Sequence, residues 1–174
     1  MIRRKLGKLA KDSAGFTLIE VLVALVITSL IGFGAAITVN QVMTQGSRNG
    51  DYTTASWHAM NAIYWIGRDA QMSQVITPGG VYGFPLTINW TEWDNSEYEV
   101  TYTIEDNQLK RSYAVDGGEP SQSVVAQYIN ATSENTSCQF IGGVFTLKIN
   151  TTVGEGATAV SITKLREITP RPGL

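Results

Sequence analysis

From Phe16 to Val39 the chain runs 24 residues with Glu20 as the only ionisable side chain. No other feature restricts its folding as much. As a helix rising 1.5 Å per residue, that run reaches about 36 Å, enough to cross a hydrocarbon layer of roughly 30 Å with some tilt. The first 15 residues hold Arg3, Arg4, Lys5, Lys8 and Lys11 against Asp12, a net of +4; the whole chain is −2, so the remainder is −6. A basic segment before an apolar span stays on the cytoplasmic side, which sends the C-terminal part outward. A cleavable secretory signal fits poorly, because the apolar run is too long and no A-x-A-like site closes it. A plain signal anchor fits the length and the charges. It leaves Glu20 unexplained, since a carboxylate in a span costs a few kcal/mol at the centre and something less near the end.

The stretch "GFTLIEVLVALVI", Gly15 to Ile27, resembles the type III signal of type IV pilins and pseudopilins. That resemblance implies a cut by a prepilin peptidase between Gly15 and Phe16 and N-methylation of Phe16. It also implies a role for Glu20 in admitting each subunit to a growing filament. Elementary electrostatics points the same way. Cleavage leaves an ammonium on Phe16 about one turn from Glu20, and a first-turn carboxylate faces the positive end of the helix dipole. A second chain, shifted axially, can bring its own Phe16 amine to Glu20, and a buried polar contact of that kind sets register. The alternative for Glu20 is an acid that snorkels to the headgroups unpartnered.

Four segments follow: a cytoplasmic leader at 1–15, a membrane and filament-core helix at 16–39, a distal helical half at 40–76, and a β-rich globular part at 77–174. The helix is expected from about Phe16 to about Val75. It is expected to weaken or bend between Gly46 and Gly50, with a soft place at Gly32 and Gly34, because each glycine costs about 1 kcal/mol against Ala. Trp57, Met60, Ile63, Tyr64 and Gly67 form a stripe expected to face the core. Pro78, Gly79 and Gly80 stop the helix. "EYEVTYTI" alternates, with Tyr98, Val100, Tyr102 and Ile104 on one face, and "EDNQ" turns it into "LKRSYAV" as a hairpin. "DGGEPS" reads as a loop, "CQFIGGVFTLKINTTV" as one long strand bulged at Gly142–Gly143, and "TAVSITKLREI" as the last strand. The fold class is therefore α+β, with an antiparallel sheet packed on the distal half of the helix. That order resembles the pilin fold. "IGRDAQMSQVI" and "YEVTYTIEDNQLKRSY" resemble the larger minor pseudopilins of the J type and minor pilins of the W type. In those families a basic-acidic pair ends the helix and a "Y-x-I…L-x-R" hairpin follows.

No catalytic constellation is visible. His58, the only histidine, lies within the helical stripe, and no G-x-S-x-G elbow, Walker loop or G-x-G-x-x-G occurs. Cys138, the only cysteine, excludes an intrachain disulfide and reads as a small buried hydrophobe. "EWDNSE" gathers Glu92, Asp94, Asn95 and Glu97, oxygen donors that suit calcium, but it lacks EF-hand spacing and reads as a solvated acidic turn. Arg68 and Asp69 are helix neighbours that point different ways, each expected to meet the sheet or a neighbouring subunit. The sequons at Asn89, Asn130, Asn135 and Asn150 agree at most with exposure outside the cell. The acidic remainder gives no support to nucleic-acid binding. The expected partners are other pilin or pseudopilin subunits, the prepilin peptidase, a membrane assembly platform and, before assembly, membrane lipid. No cofactor or metal is expected. The expected location is the cytoplasmic membrane with the C-terminus outside, then a cell-surface or periplasmic filament. The competing reading is a monomeric, signal-anchored binding or sensor domain.

Overall fold

The computed structural model describes residues 15–80 and 82–171. Most of the leader, residues 1–14, therefore lies outside the described residues. One helix, α1 (Leu18–Met72), precedes eight strands: β1 (Val75–Gly79), β2 (Gly83–Thr91), β3 (Glu97–Glu105), β4 (Gln108–Val115), β5 (Ser121–Ala126), β6 (Ser137–Ile141), β7 (Val144–Val153) and β8 (Val160–Ile168). The chain divides into two units, Met1–Gln45 and Gly46–Leu174. In the first, every described residue is exposed, and an 18-residue window of α1 has a mean hydropathy of 2.4. A helix that is apolar all round, with no protein over it, has the surface of a membrane span. Its hydroxyls are satisfied locally: Thr28, Ser29 and Thr38 donate to the carbonyls of Ala24, Leu25 and Gly34, one turn back.

The second unit is α+β, with two antiparallel sheets where one was expected. One has the order β1-β2-β3-β4-β5 and the other β6-β7-β8. Side chains from α1 and both sheets form one core, in which Leu86, Ile88, Tyr102, Phe145, Leu147 and Ile149 are fully buried. The 127–136 loop stitches the sheets together, with Ile129 N–H donating to Asn107 and Thr152 N–H to Tyr128. The two sheets meet at Gly83, whose carbonyl accepts from Cys138 Sγ. Its φ is +88°, and a Cβ there would run into the carbonyl of Cys138, so only glycine fits.

The hairpin of β3 and β4 forms as expected, with Tyr102 opposite Arg111 and Ile104 opposite Leu109. Asp106 and Asn107 both take positive φ, the geometry of a tight two-residue hairpin turn. The last strand also forms as expected. α1 is helical through Gly46–Gly50; glycine lowers helix propensity but, unlike proline, removes no N–H from the ladder. Three expectations need correction. First, α1 ends at Met72, not near Val75. The β-branched run Val75-Ile76-Thr77 pairs with β2 instead, and the Gln74 side chain accepts from Thr91 N–H at 3.1 Å, fixing the switch from helix to strand. Second, Gly142 and Gly143, with φ of 61° and 80°, form the turn of a β6–β7 hairpin and not a bulge. Third, the stripe is split: Ile63 packs against the core and Gly67 is buried, as expected, but its three largest members face outward. Trp57, Met60 and Tyr64 are 60%, 60% and 57% exposed, while Ala55, Ala59, Ala62, Ile66 and Ala70 are fully buried. The strands supply the bulk, so the helix face between them must be small. β2 and β5 were not read from the sequence at all.

This face yields a test. Ala62→Leu should overpack the core and lower stability by about 1–3 kcal/mol, whereas Met60→Ala should change it by roughly 0.5 kcal/mol or less. Denaturant midpoints of the full chain in detergent would measure both.

Candidate functional site

The N-terminal site is built at the first turn of α1. Thr17 N–H and Thr17 Oγ1 both donate to Glu20 Oε2 at 2.9 Å. Glu20 N–H donates back to Thr17 Oγ1 at 3.3 Å. This is a capping box: the T-x-x-E spacing satisfies orphan donors at the helix start reciprocally. Sequence reasoning singled out Gly15, Phe16 and Glu20 but missed Thr17, although its spacing to Glu20 carried the signal. Phe16, just ahead of the cap, is 88% exposed. The carboxylate thus sits on an otherwise apolar surface with its charge directed to the helix N-terminus, where the dipole favours it.

A second arrangement lies within the globular unit. Asp69 is fully buried. Its Oδ2 accepts from Arg111 Nε at 2.8 Å and from Tyr102 Oη at 2.5 Å, while Oδ1 is buried without a hydrogen-bond partner among the described residues. The acid of the basic-acidic pair and the tyrosine and arginine of the "Y-x-I…L-x-R" hairpin, noted separately in the sequence, are here one ion-pair cluster. Burial would lower the pKa of Arg111, but the hydrogen bond and charge of Asp69 hold it above its ordinary value. Burial pushes the Tyr102 phenol up, and the Asp69 charge adds to the effect. The Arg111 guanidinium lies 5.3 Å from the Trp65 ring and 4.9 Å from Tyr113; Arg68 lies 5.1 Å from Trp65. Arg68 and Asp69 thus diverge as expected.

The remaining candidates have structural roles. Cys138 is buried, and burial pushes its thiol up to about 12, which keeps it protonated and a poor nucleophile. His58 accepts a hydrogen bond at Nδ1 from Gln127 N–H, at 3.1 Å. Asp94 accepts from Ser96 N–H, closing the "EWDNSE" turn on itself. Among the described residues no three His, Cys, Asp or Glu side chains gather into a metal site. Asn150 is buried, its amide donating to Ser161 and Thr163, so that sequon is not a surface feature.

Residues 10–36 match the family described as the prokaryotic N-terminal methylation motif. The match covers the end of the leader, Gly15, Phe16, the capping box and most of the apolar run. It supports a prepilin-type signal on a membrane-anchored, pilin-like chain, and a motif that belongs to structural proteins rather than enzymes. No curated protein and no solved structure matches the chain.

Two predictions follow from the globular unit. Asp69→Ala should destabilise it by about 3–5 kcal/mol by leaving Arg111 without its countercharge, and Tyr102→Phe by about 1.5–3 kcal/mol through one lost bond to a carboxylate; urea unfolding would read both. Burial also lowers the His58 pKa from its ordinary 6.5. The unfolded chain then binds more protons just below that value. The His58 contribution is complete above pH 6.5 and is lost as pH falls from there to the lowered folded pKa. The thermal midpoint should drop in that window, and His58→Asn should flatten the drop.

Proposed function

We propose that the chain is a structural subunit of a type IV pilus-like or type II secretion pseudopilus filament. In this reading a prepilin peptidase cuts between Gly15 and Phe16, and Phe16 is methylated. The apolar half of α1 holds the precursor in the membrane with the globular unit outside. Glu20 then pairs with the Phe16 amine of a neighbouring subunit on a membrane assembly platform. The observation that carries the proposal is the methylation motif over residues 10–36. Two features support it further: a helix with no buried residue over the span and a single carboxylate in its capped first turn. The resemblance of the "RD" pair and the following hairpin to larger minor pseudopilins and minor pilins supports a minor subunit. The Asp69–Tyr102–Arg111 cluster gives those residues a common structural purpose.

The test is intact mass and N-terminal sequencing of the chain from its host membranes. A start at N-methylated Phe16 is expected, and Gly15→Val should leave the leader uncut. Glu20→Gln should be processed normally yet fail to enter sheared filaments. A Met1 start in cells with an active prepilin peptidase would overturn the proposal in favour of a simple anchor.

A further inference from the structure

Of the Asn-x-Ser/Thr sequons at Asn89, Asn130, Asn135 and Asn150, the structure sets one apart. Asn89 lies inside β2, with its backbone laddered to Val75 on one side and Glu99 on the other. Asn150 is buried, and its amide nitrogen donates to both Ser161 and Thr163. Asn135 commits its amide nitrogen to Thr132 Oγ1 at 2.7 Å, and the third residue of its sequon, Ser137, opens β6. Asn130 stands in the irregular loop between β5 and β6 and is followed by exposed Ala131 and Thr132. Its backbone N–H donates to the Asn150 carbonyl at 3.0 Å, which anchors the sequon beside β7.

The Asn130 side chain is arranged for reaction at nitrogen. Its Oδ1 accepts from Thr132 Oγ1 at 3.0 Å and from Thr132 N–H at 3.3 Å. Asn135 Nδ2 donates in turn to Thr132 Oγ1, so the hydroxyl's own proton is available to Asn130. Asn130 Nδ2 is left without a hydrogen-bond partner among the described residues. An amide nitrogen is a poor nucleophile because its lone pair is shared with the carbonyl. As it loses a proton, charge moves onto the oxygen, where two donors already in place stabilise it. An open cavity of about 320 Å³ lies at the same side chain, lined by Asn107, Tyr128, Ile129, Asn130 and Thr152. Two amides, a hydroxyl and an aromatic ring suit a hydroxylated sugar ring.

We propose that Asn130 accepts an N-linked saccharide from a donor in which the anomeric carbon of the sugar is bonded to a phosphate. In the transfer, Asn130 Nδ2 bonds to the anomeric carbon while the bond from that carbon to the phosphate oxygen breaks. The phosphate leaves with the electron pair, and one Nδ2 proton passes to a base of the transferase. Thr132 is a positioning residue that acts through Asn130 Oδ1. The inference rests on the filament reading for one point, the placing of the globular unit outside the membrane.

Peptide mapping by mass spectrometry of the full chain from its host membranes tests it, with protease added to spheroplasts to report on which side the globular unit lies. The expected result is a saccharide on Asn130 and none on Asn89, Asn135 or Asn150. Asn130→Gln should remove it. Thr132→Val should lower its occupancy by about tenfold or more, the loss expected when a donor to a developing oxyanion is deleted, and Thr132→Ser should keep it. A bare Asn130 peptide, a saccharide on another residue instead, or an occupancy unmoved by Thr132→Val would overturn the inference. Where the bare peptide comes from a globular unit that the protease reaches, the inference falls alone. Where the protease does not reach it, the outward placing of the globular unit falls as well.

Discussion

The globular unit depends on an ion pair that no solvent reaches on its acidic side. Asp69 is the one buried charged residue of α1, and its partners come from adjacent strands, Tyr102 on β3 and Arg111 on β4. Isolated, a buried carboxylate would cost several kcal/mol. Joined to a guanidinium and a phenol, it becomes a locating pin. The helix can take only the rotation and axial position in which Asp69 meets Tyr102 and Arg111 across a hairpin whose own register is fixed by its two-residue turn. Once that position is set, the alanines at 55, 59, 62 and 70 fall over the bulky side chains of the two sheets. The alternation along β3 then places Val100 and Tyr102 beneath them.

The same helix carries a second acid under a different constraint. Among the described residues, Glu20 meets no guanidinium. Its charge is met by the Thr17 amide and hydroxyl and by the helix N-terminus. Asp69 and Glu20 thus illustrate two ways in which an α-helix can satisfy a carboxylate. One is closed by tertiary structure. The other is met only by a local cap.

How much of this was legible in the sequence varied with the range of the interaction involved. The apolar run and the β3–β4 hairpin could be read because each depends on neighbours within a few residues. The orientation of the distal helix could not be read from size alone. Hydrophobic periodicity ranks Trp57, Met60 and Tyr64 above alanine, yet burial depends on the space left by distant strands, and Tyr102, Phe145 and Leu147 fill it. Val75–Gly79 was misread because Pro78 and two glycines signal a stop without indicating that the preceding residues pair with β2. The Gly142–Gly143 step was ambiguous between bulge and turn until the two positive φ values separated them. Thr17 was overlooked although its spacing to Glu20 is a known helix-start signal.

In the proposed processing, cleavage changes the chemistry around Glu20 more than the loss of a leader suggests. Before the cut, the nitrogen of Phe16 is a neutral amide. Afterwards it is an ammonium, and methylation of an amine keeps the positive charge. A cation then stands next to the capping box, so within one chain the amine and the Thr17 donors compete for the same carboxylate. In that proposal, side-by-side packing with an axial shift would resolve the competition: the amine of one chain would go to Glu20 of the next, and each cap would remain in place. Only a chain cut at that glycine offers such an amine, so the pairing would distinguish processed subunits from precursors by charge at a single atom.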